Sequence, residues 1–357
     1  MDDKIKILFV GDPHFKIKNV EYIPLFTSRI VSIVESNKLD FVVVAGDLLD
    51  NHDRIDVEPL NLAINFVDAL RKIIKTFVLV GNHDYKNNQQ FLSDHHWMNA
   101  LKKWDNVTIV DDIVDFMVNK TKFLFVPYVP PGRFVEAIET KIPIKNINDF
   151  KVVFAHQEFY GCKMGPIESK CGDKWDEKWS MVVSGHIHNK QWSQSNIYYP
   201  GSAMQHAFGQ STENTVSILT CHEDELDYEE VDLKMPKLTI KYLTVNDAMD
   251  LWCFQTANKP DVKGVQQPLK FKNKEFRKYK IVLQGTQEEF KTFKKNLRYK
   301  QLLEEGFKIT FKLKNIDHIN QDLCNLKKKF TDILYEKVKN EHDSDLEDIF
   351  KKMVTIV

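Results

Sequence analysis

Polar side chains follow five short apolar runs of the chain, and their types are those that bind divalent cations and transfer protons. Each run is rich in valine, isoleucine or phenylalanine, as expected of a strand buried on both faces. Because open α/β sheets bind ligands at the carboxyl ends of such strands, we expect these polar segments to lie close together. The segments are Gly11-Asp12-Pro13-His14, Gly46-Asp47-Leu48-Leu49-Asp50, Gly81-Asn82-His83-Asp84, His156 and Gly185-His186-Ile187-His188.

Seven of these residues form a ligand set of nitrogen and oxygen donors without a thiolate, which suits Mn²⁺, Fe²⁺ or Zn²⁺. One ion rarely takes seven ligands from a protein, so we expect two ions, roughly 3.5 to 4 Å apart, with Asp47 as the bridge. Ion pairs of this kind cleave phosphoesters, because they activate a water and neutralise the phosphate oxygens during an in-line displacement. The seven residues are Asp12, His14, Asp47, Asn82, His156, His186 and His188.

His83 lies beside Asn82 but is not needed as a ligand, so we expect it to be the catalytic acid at the leaving-group oxygen. Asp84 or Asp50 is expected to orient His83 or a ligand from behind. His52 follows Asp50 by two residues and is the expected substrate contact. We expect the remaining histidines to be ordinary surface or core residues: His95, His96, His206, His222, His318 and His342.

The order of predicted elements indicates a parallel α/β sheet. Helices at 22–36 and 57–75 alternate with strands at 4–10, 41–45 and 77–80, which is the β-α-β-α-β arrangement. An amphipathic segment at 89–102 and a short helix after residue 133 are also predicted. Further strands are expected at 107–110, 113–118, 122–127, 151–155 and 181–184.

Later strands near 196–199, 215–220 and 226–231 are expected to return antiparallel and close a second sheet. The long segment 157–180 contains Trp175 and Trp179. Contact with a substrate at the rim of the site and simple packing of the two tryptophans both explain it.

The net charge of −1 conceals an asymmetry along the chain. Residues 1–233 carry 24 basic and 34 acidic side chains, whereas residues 234–315 carry 19 basic and 8 acidic ones, a balance of +11. A basic second part fits a polyanionic substrate gripped outside the metal centre, with solvated lysines as the alternative. With Met235-Pro236 as the boundary, we predict a catalytic domain at 1–235, a basic domain at 236–315 and amphipathic helices at 316–357.

Composition favours a soluble intracellular protein. The five cysteines form no pairing pattern, which favours reduced thiols, and the amino terminus shows no leader pattern. Uninterrupted apolar stretches stay well below the length of a membrane span, so we expect no membrane association.

The five polar segments resemble, complete and in order, the motifs of the calcineurin-like metallophosphoesterases: DxH, GDxxD, GNHD, a lone histidine and GHxH. This resemblance implies an α/β fold, a four-layer α/β/β/α sandwich, with His83 as the catalytic histidine. It also implies that one ion is held by Asp12, His14, Asp47 and His188, and the other by Asp47, Asn82, His156 and His186.

Within that superfamily the chain resembles the SbcD-type nuclease subunit of DNA double-strand-break repair complexes, including its phage and eukaryotic counterparts. The similar segments include Phe125-Val126-Pro127-Tyr128 and Tyr199-Pro200-Gly201-Ser202, whereas Asn51-His52 replaces the Arg-Gly of phosphoprotein phosphatases. The segment that follows departs from the pattern and keeps only its Phe-Gly: Ala203-Met204-Gln205-His206-Ala207-Phe208-Gly209.

This resemblance implies a Mn²⁺-dependent nuclease acting at DNA ends, with a small capping domain that contacts DNA. It also implies carboxy-terminal helices that dock on an SMC-like ATPase of the SbcC type, and a homodimer through helices of the amino-terminal third. Core packing explains the apolar residues of those helices equally well. Two alternatives stay open: a small-molecule or cyclic-nucleotide phosphodiesterase of the same superfamily, and a non-catalytic DNA-end tether.

Overall fold

The structure is a computed structural model that describes residues 4–52, 54–222, 225–249 and 277–313, with residues 335, 337–339 and 350. The chain divides into two compact units, with the main boundary between Leu238 and Thr239. The predicted segment 316–357 lies almost wholly outside the described residues, as does most of 247–275. Among the described residues, no helix is long and apolar enough to cross a membrane.

The first unit contains two six-stranded sheets. In the first sheet, four parallel strands stand side by side in chain order, and two antiparallel strands extend the sheet beyond β1. The parallel strands are β1 (Ile5–Val10), β2 (Phe41–Val44), β3 (Thr76–Leu79) and β4 (Val107–Val110), and the antiparallel ones are β13 (Thr215–Cys221) and β14 (Leu226–Asp232).

The second sheet has four parallel strands in its centre and one antiparallel strand at each edge, in the order β11-β12-β10-β7-β6-β5. Its strands are β5 (Val114–Val118), β6 (Thr121–Val126), β7 (Phe150–His156), β10 (Met181–Gly185), β11 (Gln191–Gln194) and β12 (Ile197–Tyr199). A two-stranded hairpin, β8 (Lys163–Met164) with β9 (Ile167–Glu168), lies in the segment between β7 and β10.

Alternate side chains of the strands pack on opposite faces, which produces the predicted α/β/β/α layers. In β1, Leu8 and Val10 pack with helices α1 (Ile23–Ser36) and α2 (Val57–Arg71), whereas Ile7 and Phe9 pack between the two sheets. The outer face of the second sheet buries helix α3 (Phe134–Glu139). Strands covered on both faces explain the continuous apolar runs of the sequence.

The predicted placement of the last strands was partly wrong. Strand β12 runs parallel to β10, and β13 and β14 are antiparallel but belong to the first sheet, beside β1. The reason is visible in β13, where Val216 and Ile218 join the core under the helices while Leu219 and Cys221 join the core between the sheets. A strand with two apolar faces therefore completes the first sheet.

The amphipathic segment predicted at 89–102 is not one helix. Only Trp97–Lys103 forms a 3-10 helix. Phe91 and Leu92 pack against the outer core of the second sheet, whereas Met98 and Leu101 belong to the core of the first. A single helix cannot serve both cores, so the segment turns between them.

The second unit contains a three-stranded sheet of β15 (Lys237–Thr244), β16 (Arg277–Gly285) and β17 (Lys308–Leu313). The short helix α4 (Val245–Met249) follows β15. Between the parallel strands β16 and β17 lie helices α5 (Gln287–Lys295) and α6 (Leu297–Glu304), as in a β-α-β unit. The two helices are separated at Asn296, whose extended backbone and side chain cap α6.

Candidate metal centre

All seven predicted ligands lie at the carboxyl ends of parallel strands, where both sheets of the first unit contribute. Asp12 and His14 follow β1, Asp47 follows β2 and Asn82 follows β3. From the second sheet, His156 ends β7, and His186 and His188 follow β10. The apolar strands thus place polar groups from distant parts of the sequence in one cluster.

Asp47 lies between two groups of ligands, because its two carboxylate oxygens face different histidines. Asp47 Oδ1 is 3.4 Å from Nε2 of His156, and Asp47 Oδ2 is 3.5 Å from Nε2 of His14. On the first side, Asn82 Oδ1 lies 3.1 Å from His156 Nε2 and 2.9 Å from His186 Nδ1. On the second side, Nε2 atoms of His14 and His188 are 3.0 Å apart. This arrangement is the one expected of a bridging carboxylate.

Backbone strain accumulates at the ligands. Asp12, His14, Asp47 and His186 all have positive φ angles, of 33°, 45°, 49° and 76°. Non-glycine residues rarely adopt this region, and such residues concentrate at functional sites where surrounding structure holds them. Gly81 shows how tightly the site is enclosed, since a Cβ atom there would lie 2.2 Å from Asp47 Oδ1.

Asp84 fixes the loop that carries Asp47. Its buried carboxylate accepts hydrogen bonds from the backbone N–H groups of Leu48, Leu49 and Gly81 and from the indole of Trp97, at 3.0 to 3.3 Å. Asp84 therefore supports the ligands from behind, at the place where β2 and β3 end.

Asp50 supports a different ligand. Its Oδ1 lies 3.2 Å from His14 Nδ1 and 2.9 Å from Lys16 Nζ. Burial opposes ionisation of Asp50, but hydrogen bonds from His14 and Lys16 outweigh it and lower its pKa to about 2. A carboxylate beside Nδ1 leaves Nε2 of the same ring facing the cluster, as in many metal sites. His156 is held in the same way, since its Nδ1 donates to the Ala45 carbonyl at 2.7 Å.

His83 and His52 stack face to face at the edge of the cluster, with ring centroids 4.8 Å apart and an angle of 11°. His83 Nδ1 donates to the Asp50 carbonyl at 2.8 Å, and His52 Nδ1 lies 3.2 Å from the Tyr85 carbonyl. The His83 side chain is 34% exposed, with Nε2 4.0 Å from Asp47 Oδ2. An imidazole fixed at Nδ1 and open at Nε2 can carry a proton to a substrate beside the cluster.

The electrostatics of the cluster are those of a cation site. Burial raises the pKa of Asp12 to about 6 and, with neighbouring imidazoles, lowers the pKa values of His186 and His188 to about 3. Burial also opposes the charge of Asp47, yet His156, His14 and His83 hold the pKa of this carboxyl well below its usual value. His186 and His188 are therefore neutral beside the ionised Asp47, whereas the neighbouring carboxylates raise the pKa values of His14 and His156, so a metal would have to displace protons from those two rings.

A buried oxygen without a partner provides a further test of fit. Asp12 Oδ2 is excluded from solvent and accepts no hydrogen bond from the residues that the structure describes. Such an atom is unfavourable unless it binds something else. The residues present fit two divalent cations, which the groups on either side of Asp47 would hold, and such ions would supply charge neutralisation and an activated water for phosphoester cleavage. Groups of three possible ligands recur around this point: His14–Asp47–His83, Asp47–His156–His186 and His14–His188–His206.

The last group contains a residue that the sequence did not place at the cluster. We expected His206 to be an ordinary residue, but its ring centroid lies 4.6 Å from that of His14 and 4.9 Å from that of His188. The signal available in the sequence was the Pro200-Gly201-Ser202 turn, which can return the chain to the cluster. In contrast, His96 pairs with Asp111 and His222 with Asp227, and His95 is exposed. His318 and His342 lie outside the described residues.

A cleft of about 450 Å³ opens over the cluster. Asp47, Asn82 and His83 line it on one side, and residues 163–165 of the β8–β9 hairpin and residues 209–211 line it on others. In segment 157–180, Trp175 is buried in the core and contacts Trp179, which confirms the packing explanation. The hairpin of the same segment lines the cleft, and its contact with a substrate stays a prediction. The cleft leaves the cluster accessible to a phosphoester.

Comparison with known proteins agrees with this fold and site. The model of the calcineurin-like phosphoesterase family matches residues 5–190, a span that contains all seven predicted ligands. The chain belongs to this family, and it is a hydrolase that acts on phosphoester bonds.

Two viral proteins provisionally named phosphoesterases are similar to the chain over most of its length. The 078R protein of Invertebrate iridescent virus 3 is 57% identical over 354 residues, which cover 99% of this chain and 97% of that protein. The 244L protein of Invertebrate iridescent virus 6 is 45% identical over 300 residues, which cover 82% of this chain and 99% of that protein. The DNA double-strand break repair protein Mre11 of Methanosarcina acetivorans is 32% identical over 100 residues, only 26% of this chain and 16% of that protein.

Proposed function

We propose that this phosphoesterase is a Mn²⁺-dependent DNA nuclease that hydrolyses phosphodiester bonds at DNA ends. The observation that carries the proposal is the cluster of nitrogen and oxygen ligands around Asp47, at the floor of a cleft that is open to solvent. An open cleft can admit one phosphate of a long chain, because the rest of the polymer stays outside. The partial similarity to Mre11 supports the same substrate class.

The residues of the chain have distinct tasks in the proposed reaction. Asn82 contributes a ligand without negative charge, which limits repulsion of the phosphate. His83, fixed by the Asp50 carbonyl, gives a proton to the leaving oxygen from Nε2. Lys163 lines the cleft and is positioned to attract a phosphate that approaches the cluster.

The second unit supplies a basic surface that suits a polyanion. On α5, Phe290 and Phe293 are buried, whereas Lys291, Lys294 and Lys295 are exposed. Lys291 and Lys295 point away from the apolar face, and Lys294 lies at its edge, with Nζ 4.6 Å from the centre of the Phe311 ring. The helix therefore uses its apolar face for its own core and presents a basic surface to solvent. Such a face binds a nucleic acid backbone without reading its sequence.

The partner proposed for this activity is an SMC-like ATPase of the SbcC type, bound through residues 316–357. Its basis is the resemblance in motif order together with the amphipathic pattern of that segment. A homodimer through the region of α2 is a weaker proposal, because Ala63, Phe66 and Val67 of this helix are buried in the core of the first unit.

Parallel assays on DNA and on a small diester test the substrate class. Purified protein with Mn²⁺ or with Mg²⁺ is incubated with linear duplex DNA, with circular single-stranded DNA and with bis(p-nitrophenyl) phosphate. We expect Mn²⁺-dependent cleavage of linear DNA, and cutting of the circle would reveal endonuclease activity. Hydrolysis of the small diester without cleavage of either DNA would contradict the proposal and favour a small-molecule phosphodiesterase.

A further inference from the structure

His206 reaches the metal centre because the preceding turn is fastened to two segments that carry ligands. Ala203 N donates to the Gly11 carbonyl at 2.8 Å, and Ser202 N donates to the His188 carbonyl at 3.1 Å. Gly11 and Gly201 touch so closely that a Cβ atom on Gly11 would lie 2.1 Å from the Gly201 oxygen. The turn is thus held directly above the start of the Asp12 loop.

The segment after the turn is held by its own hydrogen bonds. Gln210 Oε1 accepts from the N–H groups of His206 and Ala207, at 3.0 and 2.9 Å. The Gln205 side chain bonds both backbone groups of Leu238, at 2.7 and 3.1 Å. These contacts fix the backbone on both sides of His206, so its ring position follows from the fold.

The three imidazoles of His14, His188 and His206 meet edge to face. Their ring centroids are 4.6 to 4.9 Å apart, and one nitrogen of each ring lies within 4.8 Å of the others. Aromatic packing alone would permit this geometry. One nitrogen of each ring, however, is also close enough to the other two for the three to hold one ion.

Both ring nitrogens of His206 are excluded from solvent and lack a hydrogen-bond partner among the residues that the structure describes. The ring packs against those of His14 and His188. A buried polar atom of this kind calls for a ligand.

We propose that His206 is an additional protein ligand of the ion that Asp12, His14, Asp47 and His188 would hold. This site would then have three imidazole ligands, whereas the family resemblance implies two, those of His14 and His188. Imidazole favours Zn²⁺, Fe²⁺ and other transition ions, whereas Mg²⁺ prefers oxygen ligands and retains its waters. His206 thereby biases this site toward a transition ion. The inference rests on the metal centre and is independent of whether DNA is the substrate.

His206→Phe is the sharpest variant, because it keeps an aromatic ring of similar size in the same space and removes only the nitrogens. The matched control is His222→Phe. Cys221 pairs with Ile5 at the amino end of β1, so His222 lies at the end of the sheet opposite the ligands. Both variants are compared with the unmodified full chain after metal removal, and thermal unfolding verifies that each is folded.

Calorimetric titrations with Co²⁺ and with Mg²⁺, and the visible absorption of the Co²⁺ protein, provide readouts besides activity. We expect His206→Phe to weaken binding of one Co²⁺ by about tenfold or more, to change the Co²⁺ spectrum and to leave Mg²⁺ binding nearly unaltered. His222→Phe should match the unmodified chain in every respect. Equal Co²⁺ affinity and an equal spectrum in all three proteins would overturn the proposal and leave His206 as a packing residue.

A crystal structure of the Zn²⁺-loaded protein gives an outcome that does not depend on any variant. A His206 nitrogen within about 2.0 to 2.1 Å of the ion would support the assignment. An occupied site with the His206 nitrogens beyond about 3 Å would overturn it. Neither result bears on the substrate class, so failure of this inference and failure of the nuclease proposal are distinguishable.

Discussion

His83 differs from the predicted metal ligands because its hydrogen bonds leave one ring nitrogen, Nε2, open to a substrate. Its backbone N–H bonds Asp47 and its Nδ1 bonds the Asp50 carbonyl, so Nε2 is the ring nitrogen left to act on a substrate. We expect His83→Ala to lower turnover by roughly 10² to 10⁴-fold, as for a lost general acid, while metal content is retained. Steady-state hydrolysis of bis(p-nitrophenyl) phosphate, with elemental analysis of the same sample, tests this. Loss of metal in His83→Ala would refute the separation of roles.

Metal affinity should rise with pH, because bound protons compete with the ion. Burial disfavours the charged form of His156, but Asp47 and Asp12 outweigh it and raise the pKa to about 9, while the pKa of Asp12 is about 6. At a pH below the pKa of either group, the metal must displace a proton from it. The metal affinity then falls by up to about tenfold for each proton displaced and each unit by which the pH is lowered. Titration with Mn²⁺ between pH 6 and pH 9 should show affinity increasing throughout. A flat profile would contradict these protonation states of His156 and Asp12.

The cluster of seven predicted ligands could be found from the sequence because each of these residues follows an apolar run that must be a buried strand. His206 could not be predicted in this way, since no strand precedes it directly. Its position depends on a turn held by Gly11 and His188, which are distant in sequence. Contacts of that kind appear only once the fold is known.

At the scale of elements, the ends of β2 and β3 must approach each other closely for the site to form. A Cβ atom on Gly81 would lie 2.4 Å from the backbone nitrogen of Asp47, and backbone cannot move aside cheaply. We expect Gly81→Ala to displace Asp47, lowering metal affinity at least tenfold and destabilising the fold by roughly 2 to 4 kcal/mol. Urea unfolding and Mn²⁺ titration measure the two effects.

Gly132 provides the control for that substitution. It has a positive φ of 84°, but a Cβ atom there would meet nothing within 4 Å. Gly132→Ala should therefore cost only about 1 kcal/mol, from backbone strain, and leave metal affinity unchanged. Equal effects of the two substitutions would show that the close approach at Gly81 is not what shapes the site.

The strands were easier to predict than their arrangement. Continuous apolar runs in the sequence correctly predicted five strands, because each of these strands is covered on both faces: β1, β2, β3, β7 and β10. The sheet to which β13 belongs could not be read from its sequence, since two apolar faces fit either sheet. The structure shows that β13 pairs with the edge of β1, and this pairing places β13 in the first sheet.

For the whole molecule, the basic second part is expected to supply DNA affinity while the first unit supplies chemistry. Replacing Lys291, Lys294 and Lys295 by Glu should weaken DNA binding. It should also reduce the slope of log affinity against log salt concentration by roughly three in magnitude, because about three phosphate contacts are lost. Hydrolysis of a small diester should be unaffected. Binding to duplex DNA is measured at several salt concentrations by fluorescence anisotropy.

A second triple variant with the same charge change is the control. Lys120, Lys122 and Lys145 are exposed and lie near the amino ends of β6 and β7, opposite the metal centre. Replacing them by Glu should leave DNA binding nearly intact. Equal losses in the two triple variants would mean that only total charge matters and that α5 is no DNA-binding face.

The charge asymmetry and the motif order were visible in the sequence, and together they pointed to a phosphoesterase with a polyanionic substrate. Neither could show that Asp47 directs its two oxygens toward separate groups of histidines. That feature depends on two sheets meeting at their carboxyl ends. It places the Asp47 carboxylate at the centre of the predicted site.

Metal content at saturation therefore tests the dinuclear centre most directly. The unmodified protein, Asn82→Ala and Asp47→Ala are each equilibrated with Mn²⁺, separated from free ion and analysed for metal per chain by elemental mass spectrometry. We predict two ions in the unmodified protein, one in Asn82→Ala and neither held tightly in Asp47→Ala. A single ion in the unmodified protein, or two retained by Asp47→Ala, would contradict a dinuclear centre bridged by Asp47.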